Sequence, residues 1–189
     1  MPSTATRVTP EEYLERERQA ETRSEYRNGE IVAMAGSSPA HARIVRNLVI
    51  DIGSKLGGGS CEVFSTDLRL GVGAANLYAY PDVMVTCGEL QIADEHDDIV
   101  LNPVVLIEVL SKPTRNYDRG EKFASYRNIP TLREYLTVDQ YKIHVEHWSR
   151  QPDEQWLAEQ FHEPDALITL RSIGIELSLA EIYSKVALD

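Results

Sequence analysis

The stretch that decides the fold is Val104-Val105-Leu106-Ile107-Glu108-Val109-Leu110. This nearly unbroken apolar, β-branched run predicts a strand that is covered on both faces. One carboxylate, Glu108, lies inside it, and a buried carboxylate needs a cation, a metal ion or a proton as its partner. The preceding strand candidate, residues 80–86, also carries one acid, Asp82. We therefore interpret the rest of the chain as the scaffold of this acid pair.

Length and composition are those of an ordinary globular protein. With 189 residues, 42% of them hydrophobic and 26% charged, we expect one domain over residues 1–189. No apolar run is long enough for a membrane span and the N-terminus has no signal pattern, so we expect a cytoplasmic protein that makes no membrane contact. Cys61 and Cys87 lack metal-ligand spacing, and we expect them to be reduced core thiols.

The net charge of −11 argues against a general nucleic-acid coat protein. A nuclease, however, needs only a local positive surface. Between residues 112 and 133 there are six bases against two acids, which predicts a basic face beside the acid pair, although the same residues could simply form a solvated face.

Capping signals, turn signals and hydrophobic periodicity divide the chain into elements. Helices are predicted for residues 10–20, 39–56, 117–128 and 179–186. Strands are predicted for residues 23–27, 30–35, 61–70, 80–86, 104–110, 132–138, 143–148 and 156–161. Residues 71–76 and 89–98 are predicted to be loops. This order of elements predicts an α/β fold with a mixed sheet flanked by helices.

The two acids could share one cation. Side chains alternate along a strand, so Asp82 and Glu108 approach each other if the two strands pair in register and face alike. Carboxylate oxygens suit Mg²⁺, with Mn²⁺ as a substitute, and the absence of paired cysteine or histidine ligands argues against zinc. Bound Mg²⁺ can orient and acidify water, and a nearby lysine can place that water or neutralise developing negative charge.

Several segments, taken in order and spacing, carry a family resemblance: Pro81-Asp82, Glu108-Val109-Leu110-Ser111, Thr114-Arg115-Asn116-Tyr117-Asp118-Arg119-Gly120-Glu121-Lys122, Tyr126 and Glu134-Tyr135-Leu136-Thr137-Val138-Asp139. Together they resemble the Uma-type family of proposed restriction endonucleases, within the PD-(D/E)XK nuclease superfamily. The hairpin Tyr26-Arg27-Asn28-Gly29-Glu30-Ile31 and His41 resemble the N-terminal part of that family.

The resemblance implies a restriction-endonuclease-like core and Mg²⁺-dependent endonucleolytic hydrolysis of DNA phosphodiesters. It implies metal binding at Asp82, Glu108 and Val109, and it places Glu25 and His41 near the active site. A homodimer is expected if both DNA strands are cut, because that requires two sites.

The chain departs from the superfamily pattern at one position. The lysine that follows the second acid by two residues is replaced by Leu110. Lys122, on the following helix, is the matching candidate for the catalytic amine, and Lys112 is the alternative. The rival hypothesis, favoured by Leu110 and by the acidity of the chain, is a non-catalytic nuclease-like domain that binds DNA or a protein partner.

Structural explanations remain open for each candidate. Glu108 could pair with a buried arginine such as Arg69. Lys122 could be a solvated helix lysine, and Glu25 and His41 could have ordinary roles in a hairpin and a helix start. Tyr126 and Tyr135 are predicted to be core residues.

Overall fold

The computed structural model describes residues 7–34 and 36–188. Its strands, in chain order, are β1 (Ser24–Arg27), β2 (Glu30–Ala33), β3 (Cys61–Ser65), β4 (Arg69–Val72), β5 (Leu77–Ala79), β6 (Val83–Cys87), β7 (Ile99–Val100), β8 (Pro103–Leu110), β9 (Glu134–Asp139), β10 (Val145–Arg150), β11 (Trp156–Phe161), β12 (Leu167–Leu170) and β13 (Ile175–Ser178). Its helices are α1 (Pro10–Glu17), α2 (Pro39–Leu56), α3 (Arg115–Tyr117), α4 (Phe123–Tyr126) and α5 (Leu179–Ile182).

A six-stranded sheet with the order β11-β10-β9-β8-β6-β3 forms the centre of the fold. Strands β8 and β9 pair in parallel, whereas the other neighbours in this sheet are antiparallel. A five-stranded sheet, β2-β1-β5-β4-β7, and the β12–β13 hairpin complete the strand pairing. The predicted α/β fold with a mixed sheet flanked by helices is confirmed.

Both faces of the central sheet are covered, as the apolar β8 sequence predicts. The stripe of α2, Ile44, Leu48 and Ile52, packs on one face in a core that also contains Val105 and Ile107. The opposite face, which carries Leu106, packs against the segment that contains α3 and α4. Glu108 lies two positions after Leu106 along β8, so it shares the face of Leu106 and faces this second segment.

The register of β6 and β8 aligns the two acids. Met84 pairs with Leu106 and Val83 with Ile107, so the next position along β6, Asp82, comes opposite Glu108. The strand pairing that the sequence analysis required is therefore present.

Several predicted elements have different boundaries. The predicted strand 61–70 is divided into β3 and β4 by a turn, and β4 extends into the predicted loop 71–76. Helices α1 and α5 end earlier than predicted, at Glu17 and Ile182. Strands β5, β7, β12 and β13 were not predicted, because each has only two to four residues and too few alternating positions to reveal a period. Ala35, the predicted last residue of the second strand, lies outside the described residues.

The β12–β13 hairpin is attached to the central sheet by a buried carboxylate. Glu134 accepts hydrogen bonds from the backbone N–H groups of Arg171 (3.1 Å) and Ser172 (3.2 Å) in the hairpin turn. Its Oε1 also lies 3.1 Å from Nε2 of His147 on β10. Burial opposes ionisation of Glu134, but the hydrogen bonds from His147 and Ser172 outweigh it and lower the pKa of this carboxyl.

The cysteine prediction was wrong. Cys61 and Cys87 are directly paired in the β3–β6 ladder, with their Cα atoms 4.0 Å apart, and they form a disulfide. Their sequence separation of 26 conceals this contact, which only the strand register creates.

Among the described residues, no helix has the length and apolar character needed to cross a bilayer.

The disulfide predicts that the folded, oxidised protein has no reactive thiol, since the chain has only these two cysteines. Closing a loop of this length constrains the unfolded chain, so reduction should lower the free energy of unfolding by about 3–4 kcal/mol. Thiol titration and denaturant unfolding, each with and without reductant, measure both effects. The Cys61→Ser/Cys87→Ser double variant is the control and should ignore reductant; two free thiols in the native oxidised protein would contradict the prediction.

Candidate active site

Glu108 is buried and has two partners on the neighbouring helical segment. Its side chain is about 5% exposed, and its Oε1 lies 2.8 Å from the Lys122 amine. The Tyr126 hydroxyl donates a second hydrogen bond of 2.8 Å to the same oxygen. The proposed pairing with Arg69 is wrong, because that guanidinium donates to the Tyr80 hydroxyl and forms its ion pair with Asp98.

Lys122 is the lysine that reaches the acid pair. Its amine lies 2.9 Å from Glu25 Oε1, 2.8 Å from Glu108 and 3.7 Å from Asp118 Oδ1. Lys112 is exposed, and its amine lies over the Tyr141 ring, 5.0 Å from the centroid. The structure therefore places Lys122, and not Lys112, beside Glu108.

A π-helical turn positions Lys122. Between α3 and α4 the chain forms one such turn over Asp118–Lys122, a rare conformation that is often associated with functional sites. It turns both Asp118 and Lys122 into the interior. The hydroxyl of Tyr135, a buried core residue as predicted, donates to the Asp118 carbonyl at 2.9 Å and fixes the turn to the sheet.

Asp82 is held by two donors. One of its oxygens, Oδ2, accepts a 2.7 Å hydrogen bond from the Val109 backbone N–H and lies 3.1 Å from His41 Nε2. The His41 ring is brought there by the first turn of α2, where Ser38 caps the helix. Its other nitrogen, Nδ1, is buried and has no hydrogen-bond partner among the described residues. The N–H and C=O of one strand residue point to the same side, so the Val109 carbonyl also faces Asp82.

Glu25 enters the cluster from β1. Besides Lys122, it binds Arg27, whose terminal nitrogen lies 2.6 Å from Oε2. The Arg27 guanidinium stacks 3.5 Å from the centroid of the Tyr117 ring, which leads into the π-helical turn. The structure therefore brings Asp82, Glu108, Val109, Lys122, Glu25 and His41 into one group.

Four further members of the site were not predicted as such. Gln140 donates to the Leu110 carbonyl at 2.8 Å and accepts from Ser38, which joins the end of β8 to the start of α2. Asp118 and Arg27 supply charge, and Tyr126, predicted only as a core residue, also binds Glu108. Arg27, Asp118 and Tyr126 lie in segments that carry the family resemblance, and the i,i+4 spacing of Asp118 and Lys122 is a further sequence signal, since it places both on one face of a helix.

Acids outnumber bases in this cluster. Glu25, Asp82, Glu108 and Asp118 face the two permanent cations Lys122 and Arg27. Burial, reinforced by the charges of Asp82 and Asp118, raises the pKa of Glu108 to about 8 despite Lys122. Without another cation, the cluster therefore tends to hold a proton on Glu108.

The charged groups of the cluster also shift the pKa values of Lys122 and Glu25, in opposite directions. Burial opposes the charged form of Lys122, but the surrounding carboxylates outweigh it and raise its pKa well above the usual value. Burial likewise opposes ionisation of Glu25, but Lys122 and Arg27 lower the pKa of that carboxyl. Lys122 is therefore a permanent ammonium at neutral pH and cannot act as a base.

The site fits a hard divalent cation. Asp82 and Glu108 provide carboxylate oxygens opposite each other, and the excess of acids provides the charge. Within residues 7–34 and 36–188, no group of three or more His, Cys, Asp and Glu side chains is arranged to hold a metal ion. Mg²⁺ does not require one, because it is usually bound by one or two carboxylates together with water and substrate phosphate.

The cluster opens into a cleft of about 460 Å³ that reaches from Glu108 to the protein surface. The rim includes Ser111, Pro113 and Tyr141, next to the exposed bases Lys112 and Arg115. The predicted basic face is only partly realised, because Lys122 is buried and Arg119 pairs with Glu146 at 3.1 Å.

A larger cleft, of about 810 Å³, is lined by Glu134 and His147 and includes neither Asp82 nor Glu108. Glu134 and His147 each precede a residue, Tyr135 or Trp148, that packs on the same face of the sheet as Leu106. Because neighbouring side chains on a strand point to opposite faces, Glu134 and His147 lie on the other face, and this cleft is separate from the acid cluster.

Comparison with known proteins agrees with this description. A solved structure titled as a "putative nuclease belonging to DUF820" from Anabaena variabilis superposes with a TM-score of 0.79 at 23% identity, over 95% of this chain and 99% of the other, which shows a shared fold. Two uncharacterised Synechocystis proteins are similar in sequence. The protein sll1609 is 41% identical over 79% of this chain and 85% of its own length, and slr1290 is 34% identical over 96% and 94%.

The family assignment follows from a match over most of the chain. Residues 10–180 match the model of the Uma2 family, whose description is "Putative restriction endonuclease". The family resemblance stated from the motifs is thereby confirmed, and with it the nuclease-like fold. The chain belongs to the Uma2 family.

Proposed function

We propose that the protein is an Mg²⁺-dependent endonuclease that hydrolyses phosphodiester bonds in DNA. The observation that carries this proposal is the Lys122 ammonium, held between Glu25 and Glu108 at 2.9 and 2.8 Å in a cleft that also contains Asp82. An acid pair with an adjacent fixed ammonium is the set of groups needed to hold a cation and stabilise charge on a phosphate under attack.

Asp82 and Glu108 would hold Mg²⁺, or Mn²⁺ in its place, together with the Val109 carbonyl. When bound, the ion would acidify water and stabilise negative charge on the phosphate. The chain prepares for this by keeping Asp82 fixed with the Val109 N–H and His41, and by aligning Glu108 opposite it through the strand register.

Lys122 would act as a hydrogen-bond donor and a positive charge. Because its pKa is raised well above the usual value, it would orient the attacking water or neutralise developing charge without accepting a proton. Glu25, 2.9 Å from the amine, would position it together with Glu108. His41, with Nε2 engaged by Asp82 and Nδ1 unpartnered among the described residues, would position Asp82 and offer one nitrogen to water or substrate.

DNA would approach the cleft over its basic rim. Lys112 and Arg115 are exposed there and can contact phosphates, which would make binding salt-dependent. If both strands are cut, two copies of the site are needed, and we propose a homodimer for that reaction, which would give linear product from supercoiled plasmid rather than nicked circles alone.

The rival proposal is a non-catalytic nuclease-like domain that binds DNA or a protein partner. Leu110 in place of the superfamily lysine and the net charge of −11 favour it. The two proposals differ in whether the buried acid pair and Lys122 are required for a reaction.

Cleavage tests the enzyme proposal. Asp82→Asn and Glu108→Gln should abolish Mg²⁺-dependent plasmid nicking while the protein stays folded, because each removes a charged ligand and keeps the side-chain shape. Lys122→Met should lower the rate by about 10²–10³-fold, the usual effect of removing one stabiliser of transition-state charge. Gel assays of purified variants, with melting temperatures measured alongside, provide the data.

Lys112→Ala is the matched control, because it removes an exposed lysine near the same cleft. It should retain most of the activity at low salt. If Lys112→Ala loses more activity than Lys122→Met, the amine has been assigned to the wrong residue. If the purified wild type shows no Mg²⁺-dependent nicking, or if the acid and Lys122 variants nick DNA at the wild-type rate so that the activity does not come from this site, the non-catalytic rival is favoured.

Stability tests the site without any DNA. The folded-state pKa of Glu108, about 8, is above its ordinary value of 4.5, so the folded protein holds the extra proton between these values. The metal-free protein should therefore lose stability as pH rises from about 5 to 8, by at most about 1.4 kcal/mol per pH unit for this one proton. Because Mn²⁺ binds the ionised pair, it should raise the melting temperature more at pH 8 than at pH 5.5.

Glu108→Gln is the diagnostic variant for this experiment. It cannot release the proton in question, so it should flatten the pH dependence, stabilise the metal-free protein near pH 8 and remove most of the Mn²⁺ effect. A wild type that ignores millimolar Mn²⁺, or a Glu108→Gln protein that is less stable than wild type at pH 8, would identify Glu108 as a purely structural partner of Lys122.

A further inference from the structure

Two histidines meet ring to ring at the edge of the central sheet. Val145 of β10 pairs with Phe161 of β11, so the adjacent positions, His144 and His162, also lie opposite each other. Their ring centroids are 4.6 Å apart, and their Nδ1 atoms approach to 2.9 Å. His144 is buried, whereas His162 is exposed and open to solvent.

A carboxylate fixes the orientation of the inner ring. Nε2 of His144 lies 3.2 Å from Glu146 Oε1, and Nε of Arg119 lies 3.1 Å from the other oxygen of the same side chain. An ionised carboxylate can only accept, so Nε2 of His144 carries the hydrogen and the lone pair of the neutral ring is on Nδ1. That lone pair points at Nδ1 of His162. A histidine whose second nitrogen donates to a carboxylate is the usual arrangement of a metal-binding histidine.

We propose that His144 and His162 form a second metal site, which binds a late first-row transition ion such as Ni²⁺ or Cu²⁺. In the metal-free protein His162 donates its Nδ1–H to His144. With metal bound, the hydrogen of His162 is on Nε2, and both rings turn so that their Nδ1 lone pairs converge on the ion. Two nitrogens that lie about 2.0–2.1 Å from one ion at a right angle are about 2.9 Å apart, which matches the observed separation. Right-angled nitrogen ligands are those of tetragonal Cu²⁺ and Ni²⁺.

The chemistry of this site differs from that of the acid cluster. Imidazole nitrogen suits late transition ions, whereas Asp82 and Glu108 offer only oxygen, which suits Mg²⁺ and Mn²⁺. No third His, Cys, Asp or Glu side chain in the described part of the chain joins the pair, so water would complete the coordination. The ion would tie the edge strand β11 to β10, and through Glu146 and Arg119 it would adjoin the π-helical turn that carries Lys122.

Calorimetric titration with NiCl₂ tests the proposal. The protein is untagged and carries Glu108→Gln, so that neither a histidine tag nor the acid pair contributes. One Ni²⁺ should bind per chain, and His162→Ala should abolish that binding without loss of fold, because His162 is exposed. His96→Ala, which removes another exposed histidine, is the matched control and should bind as the parent does.

Two further measurements make the result specific. Glu146→Gln leaves both Nδ1 atoms in place and should weaken Ni²⁺ binding by about 10–100-fold, the usual effect of removing a carboxylate behind a histidine ligand. MgCl₂ should give no heat at this site. Stoichiometric Ni²⁺ binding that survives in His162→Ala, or no Ni²⁺ binding at all by the parent, would overturn the proposal and leave a hydrogen-bonded histidine pair only.

Discussion

The contact between Lys122 and Glu108 is the constraint on which the site depends. A carboxylate and an ammonium, both about 95% buried, are stable there only because each has close partners. Glu108 also has the Tyr126 hydroxyl, and Lys122 also has Glu25. The β1 hairpin, the β8 strand and the α3–α4 segment are thus joined through two side chains, and removal of the Lys122 ammonium would leave the surrounding acids without their shared cation.

This constraint explains why the helical segment is irregular. Lys122 has to face Glu108, and the aromatic residues that follow it have to pack on the sheet. The π-helical turn lies where these two requirements meet. With the π-helical turn over Asp118–Lys122, Lys122 contacts Glu108 while Phe123 and Tyr126 remain buried. The cluster still contains more acids than bases, and the raised pKa of Glu108 follows from that excess. A divalent cation bound to Asp82 and Glu108 would offset the same excess of negative charge.

Sequence reasoning located the acid pair because its signals are local. The apolar run around Glu108 indicated a buried strand, and the alternation along the two strands predicted that Asp82 and Glu108 approach each other on the condition that these strands pair in register and face alike. Lys122 came from a family resemblance, since nothing in the spacing of 14 residues from Glu108 indicates contact. Asp118, Gln140 and the Cys61–Cys87 disulfide are consequences of tertiary register and of one unusual helical turn, which periodicity does not encode. The short strands β12 and β13 were not predicted either, because the position of their hairpin depends on a tertiary contact with Glu134.

We propose that Asp82 and Glu108 hold a divalent cation beside Lys122, and anomalous diffraction from crystals soaked in Mn²⁺ would locate that ion. We expect an anomalous peak about 2 Å from a carboxylate oxygen of each acid, with the Lys122 amine still adjacent to Glu108. A fully occupied peak elsewhere, or no peak at the acid pair at neutral pH with the Glu108–Lys122 contact unchanged, would contradict it.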